Sequence, residues 1–474
     1  MKLTIRKKPL LCFLVYAVVA GLVLYGSERI LRLEYQQWQT GVTWLFLGML
    51  AVQLVISKQV FGRFLNLSVI LLVLTYLFNL SFPFVLEFGG DYASQVQYKI
   101  RDFSQDTFRM MVTYPVKYIS LLFGGMLLPE VFGKSQTGLV QDAERRVARE
   151  SDTYIRTLAW VFLLLSLPID FLLLVIRLFA MLRGGYMDAY NTASDAKYYA
   201  TFASYLMLAA VFLLWRTEPR DGRKKGYFMS YCLYQVVWMF TGQRALPMIC
   251  IIVAFWLYFG FEKRIRIRDL LKLAVLGYIG LVILNVIREF RAAGFEGLTL
   301  DHIFGVNVIY DTMVEFGVTV NIWGYVVEFT GYHPFGAGLV YMIAFILPKV
   351  SWLGLDPAVF DIYAALDLSA AGSSYLAEIL FEFRSFGFVV VFLYGVFVRW
   401  LDRRVHMLIS TRQYVKLVKY IALVVMVIFC VRTGTKSLLR TFVWTAALAY
   451  IIRILVARKN TRSKVEAHHE SIIV

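Results

Sequence analysis

A succession of long apolar runs constrains the fold of this chain more than any other feature. A helix needs about 20 mostly apolar residues to cross the hydrocarbon core of a bilayer. Runs of about this length recur near residues 9–26, 41–57, 64–86, 111–128, 157–181, 198–215, 227–241, 245–261, 271–287, 386–400, 418–431 and 441–457. Hydrophobic residues make up 59% of the chain, against roughly 45–50% in soluble domains. We therefore predict an all-α polytopic membrane protein of about 12 transmembrane helices.

One polar-rich interval, residues 288–385, interrupts this pattern. Its apolar pieces near 315–330 and 337–350 are short and are punctuated by Glu315, Glu328 and Pro348. If both pieces crossed the bilayer, the total would be 14, but short pieces suit re-entrant or interfacial helices better. We expect one continuous membrane-embedded domain over residues 1–474, ending in a tail from 458.

The basic residues predict an orientation. The net charge is +17, which could indicate a nucleic-acid partner, but Lys and Arg sit in short clusters between the apolar runs. Alternate loops divide the 49 cations into 32 on one side and 16 on the other, with Arg177 inside a span. Because cytoplasmic loops collect Lys and Arg, we expect both termini in the cytoplasm, 288–385 on the outer face, and no nucleic acid. The apolar run ending near Gly26 predicts a retained first span rather than a cleaved signal peptide.

The sequence argues against several kinds of site. It holds no glycine-rich nucleotide-binding fingerprint. The four cysteines lie within apolar runs, form no CxxC pair and have no histidine at metal-ligand spacing. We therefore expect no cofactor, no metal site and no disulfide framework.

Several arginines border the outer face. Arg244 lies in the break Thr241-Gly-Gln-Arg-Ala245, and Arg288 and Arg291 would share one face of a helix because they are three residues apart. Each guanidinium presents a planar fork of donors that matches the oxygens of a diphosphate. The alternative for Arg244 is a snorkelling arginine at a capped helix end, and the alternative for Arg288 and Arg291 is an anchor for lipid head groups.

The turn 432–440 carries three more cations and no acidic residue. Its members are Arg432, Lys436 and Arg440. A cationic turn of this kind favours an anionic ligand, either a substrate phosphate or a lipid phosphate.

Two segments carry candidates for proton transfer. His333 opens the turn His333-Pro-Phe-Gly-Ala-Gly338, where glycine permits close backbone approach and the imidazole titrates near neutral pH. Glu378 and Glu382 are four residues apart, so they would share a helix face just before Arg384. Glu378 is either paired with an arginine or acts as a general base or sugar ligand.

The arrangement resembles the Wzy class of bacterial O-antigen polysaccharide polymerases. The likeness extends over roughly residues 90–440. It is carried by Thr241-Gly-Gln-Arg-Ala245, Arg288 with Arg291, His333-Pro-Phe-Gly, and Ser373-Ser-Tyr-Leu-Ala-Glu378 followed by Phe386-Gly387 and a span. The resemblance implies a GT-C-like fold in the inner membrane and a metal-independent glycosyltransferase that uses an undecaprenyl-diphosphate-linked oligosaccharide at the periplasmic face. A chain-length regulator and a flippase of the same pathway are implied partners, together with membrane lipids.

Within that expectation, His333 and Glu378 are the candidate catalytic residues. The candidate ligands of the diphosphate and glycan are Arg244, Arg288, Arg291, Arg384, Arg432, Lys436 and Arg440. Two alternatives stay open: an O-antigen ligase, which attacks the same donor, and a flippase for lipid-linked oligosaccharides. A flippase needs charge along a path between the faces, whereas Asp170 and Arg177 are the main ionisable residues that the apolar spans suggest.

Overall fold

The computed structural model of the chain is helical throughout the part that it describes. That part comprises residues 5–63, 65–132, 151–191, 197–241, 244–262, 275, 277–283, 285–286, 308–347, 353–356, 359, 362–366, 373–436 and 438–473. Its α-helices are α1 Lys7–Ile30, α2 Tyr35–Phe61, α3 Leu67–Phe88, α4 Asp91–Tyr98, α5 Gln105–Val131, α6 Asp152–Asn191, α7 Lys197–Thr217, α8 Asp221–Phe240, α9 Ala245–Glu262, α10 Val308–Gly317, α11 Asn321–Glu328, α12 Ala337–Ala344, α13 Ile362–Ala365, α14 Tyr375–Phe383, α15 Gly387–Ser410, α16 Tyr414–Thr433 and α17 Leu438–Ile473. Short 3-10 turns, Val318–Val320 and Arg384–Phe386, precede α11 and α15.

Eight of the described helical stretches are long and apolar enough to cross a membrane. They are Lys7–Ile30, Tyr35–Phe61, Leu67–Phe88, Gln105–Val131, Asp152–Arg183, Tyr375–Ser410, Tyr414–Thr433 and Leu438–Leu455. Two shorter apolar helices, Phe202–Thr217 and Ala245–Phe261, fall on two further predicted runs. The prediction of an all-α polytopic membrane protein is confirmed. Helix α8 is less apolar because its first turns carry Arg223 and Lys224. The run 271–287 is described at residues 275, 277–283 and 285–286, which are helical.

The described helices of the polar-rich interval are short. Helices α10, α11 and α12 have 10, 8 and 8 residues, and a helix rises by about 1.5 Å per residue. Helices α10 and α11 join through the 3-10 turn Val318–Val320 into one helical stretch, Val308–Glu328, which is about 32 Å long. This stretch is not among those apolar enough to cross a membrane, so its composition, rather than its length, agrees with an interfacial helix.

The chain groups into two compact units. The first contains residues 1–139, 263–404 and 427–438, and the second contains 140–262, 405–426 and 439–474. In the first unit α1 packs on α5, where the Tyr16 hydroxyl donates to the Ser120 carbonyl at 2.7 Å. Side-chain caps fix the starts of two of its helices: Asn66 accepts from the Val69 amide, and Ser104 accepts from the Thr107 amide.

Helices α5 and α15 cross in backbone contact within the first unit. A Cβ atom at Gly125 would overlap the Phe392 carbonyl, and one at Gly395 would overlap the Leu122 carbonyl. Small residues at such a crossing allow two membrane helices to approach closely, so that their packing is dense. The position of α15 therefore depends on two glycines that have no room for a side chain.

A buried ionic network lies a few residues beyond that crossing. Arg399 donates to Glu130 at 2.9 and 2.7 Å and also pairs with Asp402, and Arg6 reaches Glu130 at 2.9 Å. The Asp402 carboxylate accepts from the Leu67 amide at 3.2 Å, which ties in the start of α3. Each ion has partners, as burial of charge requires.

The prediction that Asp170 and Arg177 are the main ionisable residues of the spans is wrong. Arg399 lies inside α15, and Lys117 lies inside α5 and pairs with Glu28. In the second unit Asp170 is fully buried and accepts hydrogen bonds from Ser204 at 2.6 Å, Tyr234 at 2.5 Å and Trp238 at 2.7 Å. Lys117 and Arg399 fall within the apolar runs 111–128 and 386–400, and only their partners, which come from distant parts of the chain, could not be found from the sequence.

Candidate functional site

The site is built around α14, which carries Glu378 and Glu382 on one face, as their spacing predicts. Both carboxylates are buried, at 5% and 8% exposure. Helix α14 is strongly amphipathic and ends at Phe383, where Arg384 turns the chain into α15. Two cavities of the first unit flank this helix.

The His333 imidazole and the Glu382 carboxylate form a buried pair. Nε2 of His333 lies 3.0 Å from Oε2 of Glu382, and the histidine is 3% exposed. Phe381 packs against the imidazole with the ring centroids 4.2 Å apart. Because a carboxylate only accepts, Nε2 carries the proton in this contact and Nδ1 of the neutral ring has a lone pair. That Nδ1 atom is buried and has no hydrogen-bond partner among the described residues.

The turn after His333 wraps closely around Glu382. The Gly336 amide donates to the Glu382 carbonyl at 2.9 Å, and the Gly338 amide donates to its carboxylate Oε2 at 2.5 Å. Gly336 has a φ of 69°, a left-handed conformation that glycine adopts without strain. A Cβ atom at Gly338 would overlap the Glu382 carboxylate. Both glycines of the turn are therefore needed to hold the carboxylate against the imidazole.

His333 lines a cavity of about 490 Å³, here called the His333 cavity. Its other lining residues include Tyr114 of α5, Val326 of α11, Phe381 and Arg384. The volume lies within the range of about 300–1,000 Å³ of ligand pockets, and polar and apolar groups line the cavity in similar measure. The exposed Arg384 side chain contributes a cation and reaches the His333 carbonyl at 3.4 Å.

Glu378 has a different environment, because hydrogen-bond donors occupy both of its oxygens. The Ser373 hydroxyl donates to Oε1 at 2.7 Å, and the Thr435 amide and hydroxyl donate to Oε2 at 2.7 and 2.9 Å. The Ser373 amide in turn donates to the Arg432 carbonyl at 2.7 Å. Glu378 thus fastens the start of α14 to the turn after α16.

A second cavity, of about 150 Å³, opens beside this carboxylate and is here called the Glu378 cavity. Lys436, Thr435 and Glu382 line it together with Tyr394, whose buried hydroxyl has no hydrogen-bond partner in the described part of the chain. Glu382 therefore lines the Glu378 cavity and also contacts His333, a lining residue of the other cavity.

Arg384 has a backbone conformation that residues other than glycine rarely adopt, with φ 50° and ψ −130°. This conformation costs a residue with a side chain about 1–3 kcal/mol. Glycine avoids that cost, but its greater conformational freedom in the unfolded chain offsets part of the gain. Arg384→Gly is therefore expected to stabilise the protein by about 1 kcal/mol, measured as a higher thermal unfolding midpoint in detergent. Arg412→Gly, at a φ of 56° in an exposed turn, is the matched control and should raise the midpoint similarly. A lower midpoint for Arg384→Gly would contradict this account.

The structure brings five predicted site residues into the first unit. They are His333, Glu378, Arg384, Arg432 and Lys436. Arg432 lies 3.8 Å from Glu315, so an acid does face the turn 432–440, contrary to the expectation from that turn alone. Arg244, just before α9, and the buried Arg440 belong to the second unit. Arg288 and Arg291 lie outside the described residues.

The sequence alone gives Glu382 no role of its own. Its partner His333 is 49 residues away, so no local pattern connects the two. The signals that pointed to it were its spacing of four from Glu378 and the glycines after His333.

Comparison with known proteins gives one family. The family model for the O-antigen polysaccharide polymerase Wzy matches residues 11–357. The matched region includes Arg244, Arg288, Arg291 and His333, and it ends before Glu378. No curated protein and no solved structure matches the chain.

Proposed function

The chain belongs to the Wzy family of O-antigen polysaccharide polymerases, and we propose that it joins undecaprenyl-diphosphate-linked oligosaccharide repeat units at the periplasmic face of the bacterial inner membrane. The outer location rests on the 32-to-16 division of Lys and Arg, which favours cytoplasmic termini. The continuous domain over residues 1–474 stays part of this proposal. The family match favours a polymerase over a ligase or a flippase.

The observation that supports the reaction best is the His333 and Glu382 pair beside a cavity with a cation. A sugar hydroxyl of the acceptor repeat unit would enter the His333 cavity and give its proton to Nδ1. Its oxygen attacks the anomeric carbon of the donor, and the bond from that carbon to the diphosphate oxygen breaks. The electron pair leaves with undecaprenyl diphosphate. General base catalysis of this kind contributes typically about 10²–10⁴-fold to a rate.

His333 is better suited than Glu378 to accept the proton. Glu378 receives three hydrogen bonds from Ser373 and Thr435, and donors stabilise the ionised form of a carboxylate and make it a weaker base. The Nδ1 atom of His333 is unpartnered among the described residues, and Glu382 fixes the tautomer from the opposite side of the ring. We assign Glu378 the role of positioning the turn that carries Lys436.

Arginines would stabilise the negative charge that develops on the diphosphate as it leaves. Arg384 lines the His333 cavity, and a preorganised cation aimed at developing charge stabilises the transition state. Arg288 and Arg291 are proposed as further diphosphate ligands on the basis of their sequence alone. Arg244, Arg432, Lys436 and Arg440 are proposed to bind the diphosphate or glycan. With these cations the proposed reaction requires no metal.

Loss of the protein tests this function. Disruption is expected to leave surface glycan as single repeat units, with lipid-linked single repeats accumulating, because the joining step alone is removed. Electrophoresis of surface glycan and mass spectrometry of the lipid extract measure both products. A complementing copy of the intact chain is the control. Absence of translocated repeat units would indicate a flippase, and long lipid-linked polymer that is not transferred would indicate a ligase.

A further inference from the structure

A third cavity of the first unit, an open cleft, lies at the start of α5. Its volume is about 490 Å³, within the range of ligand pockets. Its walls come from Tyr35 at the start of α2, Gln97 at the end of α4, the loop 99–104, and Phe108 in the second turn of α5. We call this the Tyr35 cleft, and none of the candidate site residues lines it.

Fixed contacts hold the walls of the cleft in place. Arg109 donates to the carbonyls of Leu31 and Leu33 at 3.2 and 2.7 Å, which secures the turn before Tyr35. Asn321 accepts from the Arg101 amide and donates to the Lys99 carbonyl, both at 3.2 Å. The loop is thus anchored to α11 and is preformed, so a ligand would not have to order it.

Aromatic rings form one side of the cleft. Tyr35 is 37% exposed and stacks on Phe108 with the centroids 6.4 Å apart. Phe103 packs edge-on against Tyr325 at 5.5 Å, and its ring lies where a side chain at Gly324 would be. Rigid rings of this kind offer flat apolar faces at low cost in conformational entropy.

Polar groups of both signs also line the cleft. Among the described residues, the Asp102 carboxylate and the Gln105 carboxamide have no hydrogen-bond or ion-pair partner, and the Arg101 guanidinium contacts only the rings of Phe103 and Tyr325. Together they offer donors and acceptors side by side. A pyranose has an apolar C–H face and a rim of hydroxyls, so it matches both kinds of lining group. The charges of Arg101 and Asp102 balance, so the lining has no net charge to attract a phosphate.

The cleft and the His333 cavity both lie beside helices α5 and α11, and no residue lines both spaces. Phe108 and Tyr114 line the two spaces from one helix, α5, about 9 Å apart along its axis at 1.5 Å per residue. On α11, Tyr325 packs on Phe103, and the next residue, Val326, lines the His333 cavity. Because six residues turn a helix by about 240°, the two spaces lie on different faces of α5, and a glycan that binds in both would pass around that helix.

We propose that the Tyr35 cleft is a saccharide subsite that binds a sugar residue of the glycan away from the reacting bond. This inference rests on the proposed polymerase function and adds a place where the glycan is held. A ligand contact outside the His333 cavity should affect the affinity for the glycan and leave the proton transfer intact.

Binding of the free glycan tests the subsite separately from the reaction. The probe is the repeat-unit oligosaccharide released from its lipid by mild acid, and saturation-transfer NMR measures its affinity for the full chain in lipid nanodiscs. Tyr35→Ala and Phe103→Ala are each expected to weaken binding about tenfold, as truncation of a central aromatic contact commonly does. Tyr35→Phe keeps the ring and should bind nearly as the intact chain does. The matched control is Tyr450→Ala, at an exposed tyrosine of α17.

His333→Ala distinguishes this proposal from the polymerase function. It should stop polymerisation and still bind the saccharide through the cleft. Unchanged affinity in both Tyr35→Ala and Phe103→Ala would overturn the subsite, as would the absence of saccharide binding to the intact chain. Displacement of the saccharide by glycerol 3-phosphate at equal concentration would identify a lipid head-group site and would also overturn it.

Discussion

His333→Ala is expected to slow polymerisation by about 10²–10⁴-fold, the range that a positioned general base contributes. The reason is that Nδ1 of this ring is the proposed proton acceptor, and His333 is the one histidine among the described residues that line the His333 cavity. The rate is measured with lipid-linked single repeats and purified protein, and chain length is measured on surface glycan. His406→Ala, at a histidine of the second unit, is the control and should polymerise normally.

Glu382→Gln refines the same test. The carboxamide keeps the size of the side chain, and its oxygen can take the place of Oε2, which accepts from both the Gly338 amide and Nε2. The tautomer is then kept, but the negative charge that stabilises the imidazolium formed on proton transfer is lost. We expect a large fall in turnover with little change in the affinity for the donor. Long polymer from either His333→Ala or Glu382→Gln would rule out the pair as the proton acceptor.

Gly338→Ala is expected to lower the rate by about 10²-fold, because a displacement of about 1 Å in a catalytic arrangement can cost that much. The added Cβ atom meets the Glu382 carboxylate, the end of a flexible side chain, so the carboxylate must move while the backbone stays. The defect should therefore resemble that of Glu382→Gln and leave the thermal unfolding midpoint nearly unchanged. Turnover and midpoint are measured on the same detergent-solubilised preparation.

Gly21→Ala is the matched control for this substitution. Gly21 lies in α1, and nothing lies within 4 Å of a Cβ atom placed there. This variant should polymerise normally. Normal turnover in Gly338→Ala would show that the exact placement of the Glu382 carboxylate does not matter for the reaction.

The sequence predicted the features that depend on local pattern. Apolar runs located most of the helices because each span must bury its own backbone polar groups in lipid, and the spacing of Glu378 and Glu382 placed both on one helix face. The sequence does not reveal which distant segments pair with each other. The contacts of His333 with Glu382, of Arg399 with Glu130 and of Arg432 with Glu315 join residues that no periodicity relates.

The function of each cation was equally hard to read from residue type. Arg399 and Arg384 are both arginines near the ends of the same long apolar stretch. Arg399 is buried and neutralised by two acids, whereas Arg384 is exposed and lines a cavity. Only the three-dimensional neighbours separate a structural charge from one that is available to a ligand.

At the glycine crossing the backbones of α5 and α15 are in contact, so α15 would tilt about that point. Gly395 is the pivot, and Gly387, next to the turn that carries Arg384, lies eight residues or about 12 Å away along the axis. A tilt of about 5° about that pivot would move this end by about 1 Å, a displacement that can cost a catalytic site about 10²-fold. On the other side of the pivot, Arg399 is clamped to Glu130 only four residues away. The ion pair of Arg399 with Glu130, far from the reacting groups, thus limits how far the end of α15 next to Arg384 can tilt.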